Sequence, residues 1–184
     1  MIEVKISGRG GQGAVLASQV LATAFFEKCF YVHSFPSFGS ERRGAPVSAF
    51  LRVESKELTL RYSVLTPDWM VLFDANLLKN PMVMAGLSGK TSLLVNTGLP
   101  QGLEARDCKR LYAVDATAIA EELKLRTTSF SMVNTAMVGA FASASGLLDL
   151  ESVERVIADM APVKRESNVA AARKAFQTVK EVSR

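Results

Sequence analysis

Apolar residues set the elements of this chain before any motif is considered. The alternation of Ile2, Val4 and Ile6 predicts a first strand over Glu3–Ser7. Ala14–Lys28 then reads as a helix: Val15 and Ala22 lie on one side with Ser18 and Gln19, while Leu16, Val20 and Ala24 fill most of the rest. Apolarity all round implies burial on more than one side. Tyr31–Phe35 predicts a second strand, and the three elements together form a βαβ unit with a right-handed crossover. A different pattern follows, with Val47, Ala49, Leu51 and Val53 alternating with Ser48, Phe50 and Arg52. Leu58, Leu60 and Tyr62 alternate with Thr59 and Arg61, and the polar Glu54–Glu57 between the two runs predicts an antiparallel hairpin. Trp69–Phe73, Ser92–Asn96 and Leu111–Asp115 are short apolar runs, each ending in or followed by a polar residue, the form of buried parallel strands.

The remaining elements are helical. Ala118–Leu123 is short. Ser131–Ser145 is long and rich in small residues, and Gly146 is placed to stop it. Val153, Val156, Ile157 and Met160 form a helical stripe that Pro162 terminates. The last helix carries Val169, Ala172, Phe176 and Val179 on one face and Lys174, Lys180 and Glu181 largely on the other. No internal repeat, low-complexity tract or linker interrupts the pattern. The expectation is one domain over residues 1–184, a three-layer α/β/α fold with a Rossmann-like mixed sheet (parallel core plus an antiparallel hairpin) and C-terminal helices.

Composition narrows the function classes. With 184 residues, 48% hydrophobic and 22% charged, the chain is long and apolar enough for a substantial core. Its net charge of +4 is spread along the sequence apart from Arg42-Arg43, so no nucleic-acid surface is expected. Cys29 and Cys108 are too few for a cysteine-rich metal or cluster site. No run approaches the roughly 18 apolar residues of a membrane span. The opening residues run directly into a strand pattern, so a reduced, cytoplasmic protein is expected.

Two segments carry candidate chemistry. Gly8-Arg9-Gly10-Gly11-Gln12-Gly13 joins a strand to a helix, where glycines allow close approach and free helix N–H groups point outward. Gly8, Gly10 and Gly13 match the dinucleotide fingerprint, yet Tyr31–Phe35 holds no Asp or Glu for a ribose hydroxyl. A tight turn with close helix packing explains the same glycines. Phe35–Pro46 places Ser37, Glu41, Arg42 and Arg43 between prolines and glycines. The arginine pair fits either a solvated loop or a planar fork gripping a carboxylate or phosphate, and the flanking Phe35 and Phe38 favour an interface. His33, the only histidine, reads as structural. Gly86–Thr91 looks like a phosphate loop but has the wrong glycine spacing and precedes a strand instead of a helix. No nucleophile–base pair and no metal-ligand spacing is evident.

The Gly8–Gly13 turn, the Phe35–Pro46 loop and Met132-Val133-Asn134, together with Pro67-Asp68 and Asn168–Ala171, resemble the gamma subunit of pyruvate and other 2-oxoacid:ferredoxin oxidoreductases (domain III of the fused forms). The resemblance covers nearly the whole chain. It implies oxidative decarboxylation of a 2-oxoacid to an acyl-coenzyme A with electrons passed to ferredoxin. The enzyme would use thiamine diphosphate, Mg, iron–sulfur clusters and coenzyme A, none of them bound by this chain alone and none served by a catalytic residue here. The implied partners are alpha and beta (thiamine-binding) subunits and a ferredoxin-like delta subunit. Gly8, Arg9, Gly10, Gly11, Gln12, Gly13, Ser37, Glu41, Arg42, Arg43 and Asn134 are the residues implied for the coenzyme A and active-site covering region. Arg42 and Arg43 meet either a coenzyme A phosphate or a partner carboxylate. The alternative is a stand-alone, Rossmann-like nucleotide-binding oxidoreductase.

Overall fold

The computed structural model describes residues 1–38, 45–57, 64–101, 103, 107–128 and 130–183, with Phe38 described for its backbone only. Its elements are β1 (Ile2–Arg9), α1 (Ala14–Glu27), β2 (Tyr31–Phe38), β3 (Pro46–Glu54), β4 (Trp69–Leu72), a 3₁₀ turn (Ala75–Lys79), α2 (Pro81–Met84), β5 (Ser92–Asn96), β6 (Arg110–Val114), α3 (Ala116–Glu122), α4 (Asn134–Ser145), α5 (Leu150–Met160), α6 (Arg165–Thr178) and β7 (Lys180–Glu181). Seven strands form one mixed sheet in the order β2-β3-β1-β4-β5-β6-β7. The β1-β4-β5-β6 core is parallel, and β3 and β7 run antiparallel to their neighbours.

The parallel core and the α/β class follow the sequence pattern, but two connections differ from it. β1 and β2 are not neighbours: β3 lies between them and pairs antiparallel with both, so the βαβ unit is split. The antiparallel hairpin is formed by β2 and β3, Tyr31–Phe38 against Pro46–Glu54. Leu58–Tyr62, expected to pair with Val47–Val53, lies outside the described residues. Local periodicity reports that a segment is extended and says nothing about which neighbour takes its hydrogen bonds. β2 also continues through Pro36 to Phe38. Proline is tolerated there because, among the described strands, β2 lies at the border of the sheet.

The sheet has two unequal faces. Val4, Ile6, Leu51, Val53, Val71, Leu94 and Val114 point into the larger core beneath α1, α4, α5 and α6. On the other face Met70, Leu72, Leu93, Val95 and Leu111 form a smaller core closed by Leu77, Leu78 and Val83 from the 3₁₀ turn and α2. That second layer is thin, because only short elements supply it.

Helix ends are set by local chemistry. Asp115 and Asp149 cap α3 and α5, accepting from Ala118 N and Ser152 N at 2.9 and 2.8 Å. Gly146, at φ 66°, closes α4 in the left-handed conformation glycine favours. α4 starts at Asn134, three residues later than the sequence suggests, because Met132 N donates to Leu125 O and Ser131 bridges Arg126. α4 is buried nearly all round, and a Cβ on Gly139 would fall 2.1 Å from the carbonyl oxygen of Ala172 in α6. Thr135 donates to Asn168 Oδ1 at 3.0 Å, and Asn168 in turn donates to the carbonyls of Val163 and Lys164. Asn168 therefore holds α4 to the start of α6.

Candidate functional site

The glycine turn lies at the carboxyl end of β1, where ligands of open α/β sheets gather. Gly11 and Gly13 both have positive φ, 101° and 82°, and Gly13 opens α1 without a side-chain cap. Gln12 closes the turn: its Oε1 accepts from Arg9 N at 2.7 Å, and its own N–H donates to Arg9 O. The first-turn N–H groups of α1 therefore keep their partial positive charge facing the turn.

Asn134 meets this turn from the other side. It is the first residue of α4, a helix that likewise lacks a side-chain cap. A Cβ on Gly13 would lie 3.0 Å from Asn134 Nδ2, so the turn can approach α4 only with glycine there. Asn134 is 2% exposed, and among the described residues its Oδ1 has no hydrogen-bond partner. A Cβ on Gly11 would likewise lie 3.1 Å from the Phe130 ring. Close internal packing thus accounts for two of the glycines, one of the two readings open in the sequence.

Of the other candidates, Arg9, Gly10 and Ser37 lie at the same end of the sheet. Gly10 N donates to Ala45 O at 3.2 Å, and Arg9 is in register with Pro46, so the residues following the arginine loop are tied to the glycine turn. Ser37 is in register with Ser48, which shares a 2.8 Å hydrogen bond with Ser7. Glu41, Arg42 and Arg43 lie outside the described residues. Arg9 is engaged within the chain: its Nε donates to Asp74, the residue after β4 and its following phenylalanine. Burial opposes ionisation of Asp74, but the Asn76 N–H and the Arg9 guanidinium outweigh it and hold the carboxyl below its usual range.

Other sequence candidates have structural jobs. His33 lies 5.0 Å from Phe35, which stacks on Phe50 at 5.4 Å. Arg52, wholly buried, donates to Glu3 at 2.7 Å and lies over the Phe35 ring. The Gly86–Thr91 segment is no phosphate loop, since Thr91 turns inward and donates to Pro67 O at 2.8 Å. Asp68 accepts from Glu3 N at 2.8 Å and aligns β4 with β1. The sequence reading missed Lys5 and Arg52 as buried cations. The strict alternation of β1 and β3 was their only signal, and it does not reveal that the second face is covered.

The geometry weakens the stand-alone dinucleotide reading. In a Rossmann site the ribose-binding residue ends the strand next to β1, whereas here β3 occupies that position and shifts β2 one strand spacing outward, about 5 Å.

Comparison with known proteins identifies the family. The model for pyruvate ferredoxin/flavodoxin oxidoreductase matches residues 3–178. The common gamma subunit of the pyruvate/ketoisovalerate oxidoreductases of Pyrococcus abyssi is 44% identical over 182 residues, covering 96% of each chain. The crystal structure of the pyruvate oxidoreductase subunit PORC of Thermotoga maritima superposes with a TM-score of 0.83 at 34% identity, covering 99% of this chain and 98% of that one. A 2-oxoglutarate:ferredoxin oxidoreductase of Magnetococcus marinus, solved with 2-oxoglutarate, coenzyme A and succinyl-CoA, shares the fold at a TM-score of 0.72 and 20% identity. The match covers 96% of this chain and 30% of that longer one. The chain belongs to the pyruvate ferredoxin/flavodoxin oxidoreductase family and is a gamma subunit of a 2-oxoacid:ferredoxin oxidoreductase complex.

Proposed function

We propose that residues 1–184 act as one gamma domain that joins thiamine-binding alpha and beta subunits and a ferredoxin-like delta subunit in the cytoplasm. Its glycine-turn end would cover the active site and the coenzyme A approach. The observation that carries this reading is the meeting of two helix N-termini without side-chain caps, α1 and α4, beside the unpartnered Asn134 Oδ1. A buried acceptor with no partner costs about 1–3 kcal/mol, so a donor from a ligand or sister chain at this place would stabilise the assembled state.

When bound in the whole complex, thiamine diphosphate with Mg, iron–sulfur clusters and coenzyme A supply decarboxylation, electron transfer to ferredoxin and acyl acceptance. This sequence has no Gly-Asp-Gly metal motif and only two cysteines, so the first two groups do not fit its residues. The turn fits part of coenzyme A better. Helix N–H groups suit its anionic part and Asn134 suits an amide or hydroxyl donor. The contribution of this chain is binding, orientation and exclusion of water from a hydrolysable thioester-forming site.

Reconstitution with the sister subunits tests the proposal. Arg42→Ala/Arg43→Ala should raise the KM for coenzyme A or weaken assembly at least tenfold. Unchanged assembly together with unchanged coenzyme A dependence would remove the covering role.

A further inference from the structure

On the sheet face away from the large helices, β1 presents Glu3, Lys5, Ser7 and Arg9 at the two-residue period of a strand. Three of the four have partners of matching chemistry. Glu3 accepts from Arg52 at 2.7 Å, Ser7 shares its 2.8 Å bond with Ser48, and Arg9 pairs with Asp74. Lys5 has no such partner. It is 6% exposed, and its Nζ donates to the carbonyl oxygens of Met82 at 3.3 Å and Ala85 at 3.1 Å. No carboxylate of the described residues lies within 4.0 Å of it. Among the described residues, Glu3 and Asp74 pair with Arg52 and Arg9. Burial alone moves the ammonium, lowering its pKa.

Lys5 lines a cleft of about 300 Å³ between the β2-β3-β1 half of the sheet and α2. Ser37, Ser48 and Asn80 supply further polar groups, while Phe50 and Met82 form apolar walls. Met82 is 84% exposed, so the apolar rim is open to an incoming group. That volume is at the lower end of the range for small-molecule sites. An ammonium has three N–H donors, and the two carbonyls account for two of them. A buried cation without an opposing charge is costly, and its natural complement is an anion that brings its own apolar body.

We propose that this cleft, which adjoins the glycine turn through Ala45 and Pro46, is a carboxylate-binding site in which Lys5 supplies the charge, Ser37, Ser48 and Asn80 the hydrogen bonds, and Phe50 and Met82 the apolar contact. The carboxylate belongs either to a small organic acid or to an Asp or Glu side chain of a sister subunit. The chemistry is shared, and the experiment separates the sources. The site rests on Lys5, a residue that the covering role of the glycine turn does not use, so Lys5→Met and Arg42→Ala/Arg43→Ala test the two readings separately.

The test uses the full chain, labelled for NMR and titrated with sodium butyrate against sodium chloride at equal ionic strength. Binding of a small acid predicts an upward move of the Lys5 Nζ titration in the wild-type chain and saturable shifts at the Ser37, Ser48 and Met82 amides, with affinity retained in Lys5→Arg and at least tenfold weaker in Lys5→Met. If butyrate gives no saturable shift, the Lys5 titration is measured in the free chain and in the reconstituted complex. An upward move on assembly, with tenfold weaker assembly of Lys5→Met rescued by Lys5→Arg, assigns the carboxylate to a sister subunit. A Lys5 titration that moves with neither butyrate nor assembly overturns the proposal, and this reading needs no variant that must fold.

Discussion

Individual side chains in this protein are settled by whether their neighbours satisfy them. Gly13 is needed twice, for a φ of 82° and for the 3.0 Å approach to Asn134. Among the described residues, Asn134 and Lys5 are buried polar groups at different ends of this spectrum, one an acceptor without a donor and the other a cation held only by carbonyls. Asp149 is the opposite case. The Lys28 ammonium and the Ser152 N–H hold its carboxyl well below the usual range, so its charged form favours the folded state. A depressed folded pKa contributes stability that is complete above the unfolded value of about 4 and is lost as pH falls through the folded value. Asp149→Ala should therefore lower stability at neutral pH by about 1 kcal/mol through loss of the α5 cap. The gap between wild type and variant should narrow below about pH 4, where the wild-type carboxyl begins to protonate in the unfolded chain. Urea unfolding of both proteins between neutral pH and pH 3 checks the sign, and a gap that widens on acidification contradicts it.

Among elements, α4 carries the most consequence, because it packs under the sheet, touches α6 and delivers Asn134 to the glycine turn. The sequence shows a long helix rich in small residues, and the structure shows what they are for. At Gly139 the α6 backbone comes so near that a methyl group would sit 2.1 Å from Ala172 O. Gly139→Ala should destabilise the chain by about 1–3 kcal/mol despite the higher helix propensity of alanine, because overpacking against backbone cannot be relieved by a rotamer change. Chemical denaturation measures this, and a stabilised variant would show that the two helices separate without cost. β3 makes the complementary point. Its alternation was read correctly as strand, yet its partners were not, since inserting it between β1 and β2 depends on distant residues such as Glu3, paired with Arg52 across the strands.

For the whole molecule, the split βαβ unit separates this family from a dinucleotide-binding oxidoreductase that its glycine spacing alone would suggest. The ribose-reading position beside β1 is taken by β3, and β2 ends in serine and aromatic residues. Titrating the chain with NADH or NADPH should give no saturable change in the fluorescence of Trp69, which stacks on Tyr112 and contacts Phe141 in the larger core. Stoichiometric quenching would restore the nucleotide-binding alternative. No helix among the described residues is long and apolar enough to cross a membrane.

The sequence by itself determined most of the elements and the family, although Lys180 and Glu181, expected on the last helix, form β7 beyond its end at Thr178. Periodicity of apolar residues is a local property, and the glycine turn and arginine loop are contiguous strings that survive being read in one dimension. It also located the Gly8–Gly13 turn and Asn134 as parts of one region through the family resemblance. Only the tertiary structure decided that Asn134 presses on Gly13, that Arg9 is consumed by Asp74, and that Lys5 is buried without an opposing charge among the described residues. Those facts turn on strand order and on which sheet face is covered. Both are fixed by contacts between residues tens of positions apart, whose desolvation and pairing energies no local pattern records.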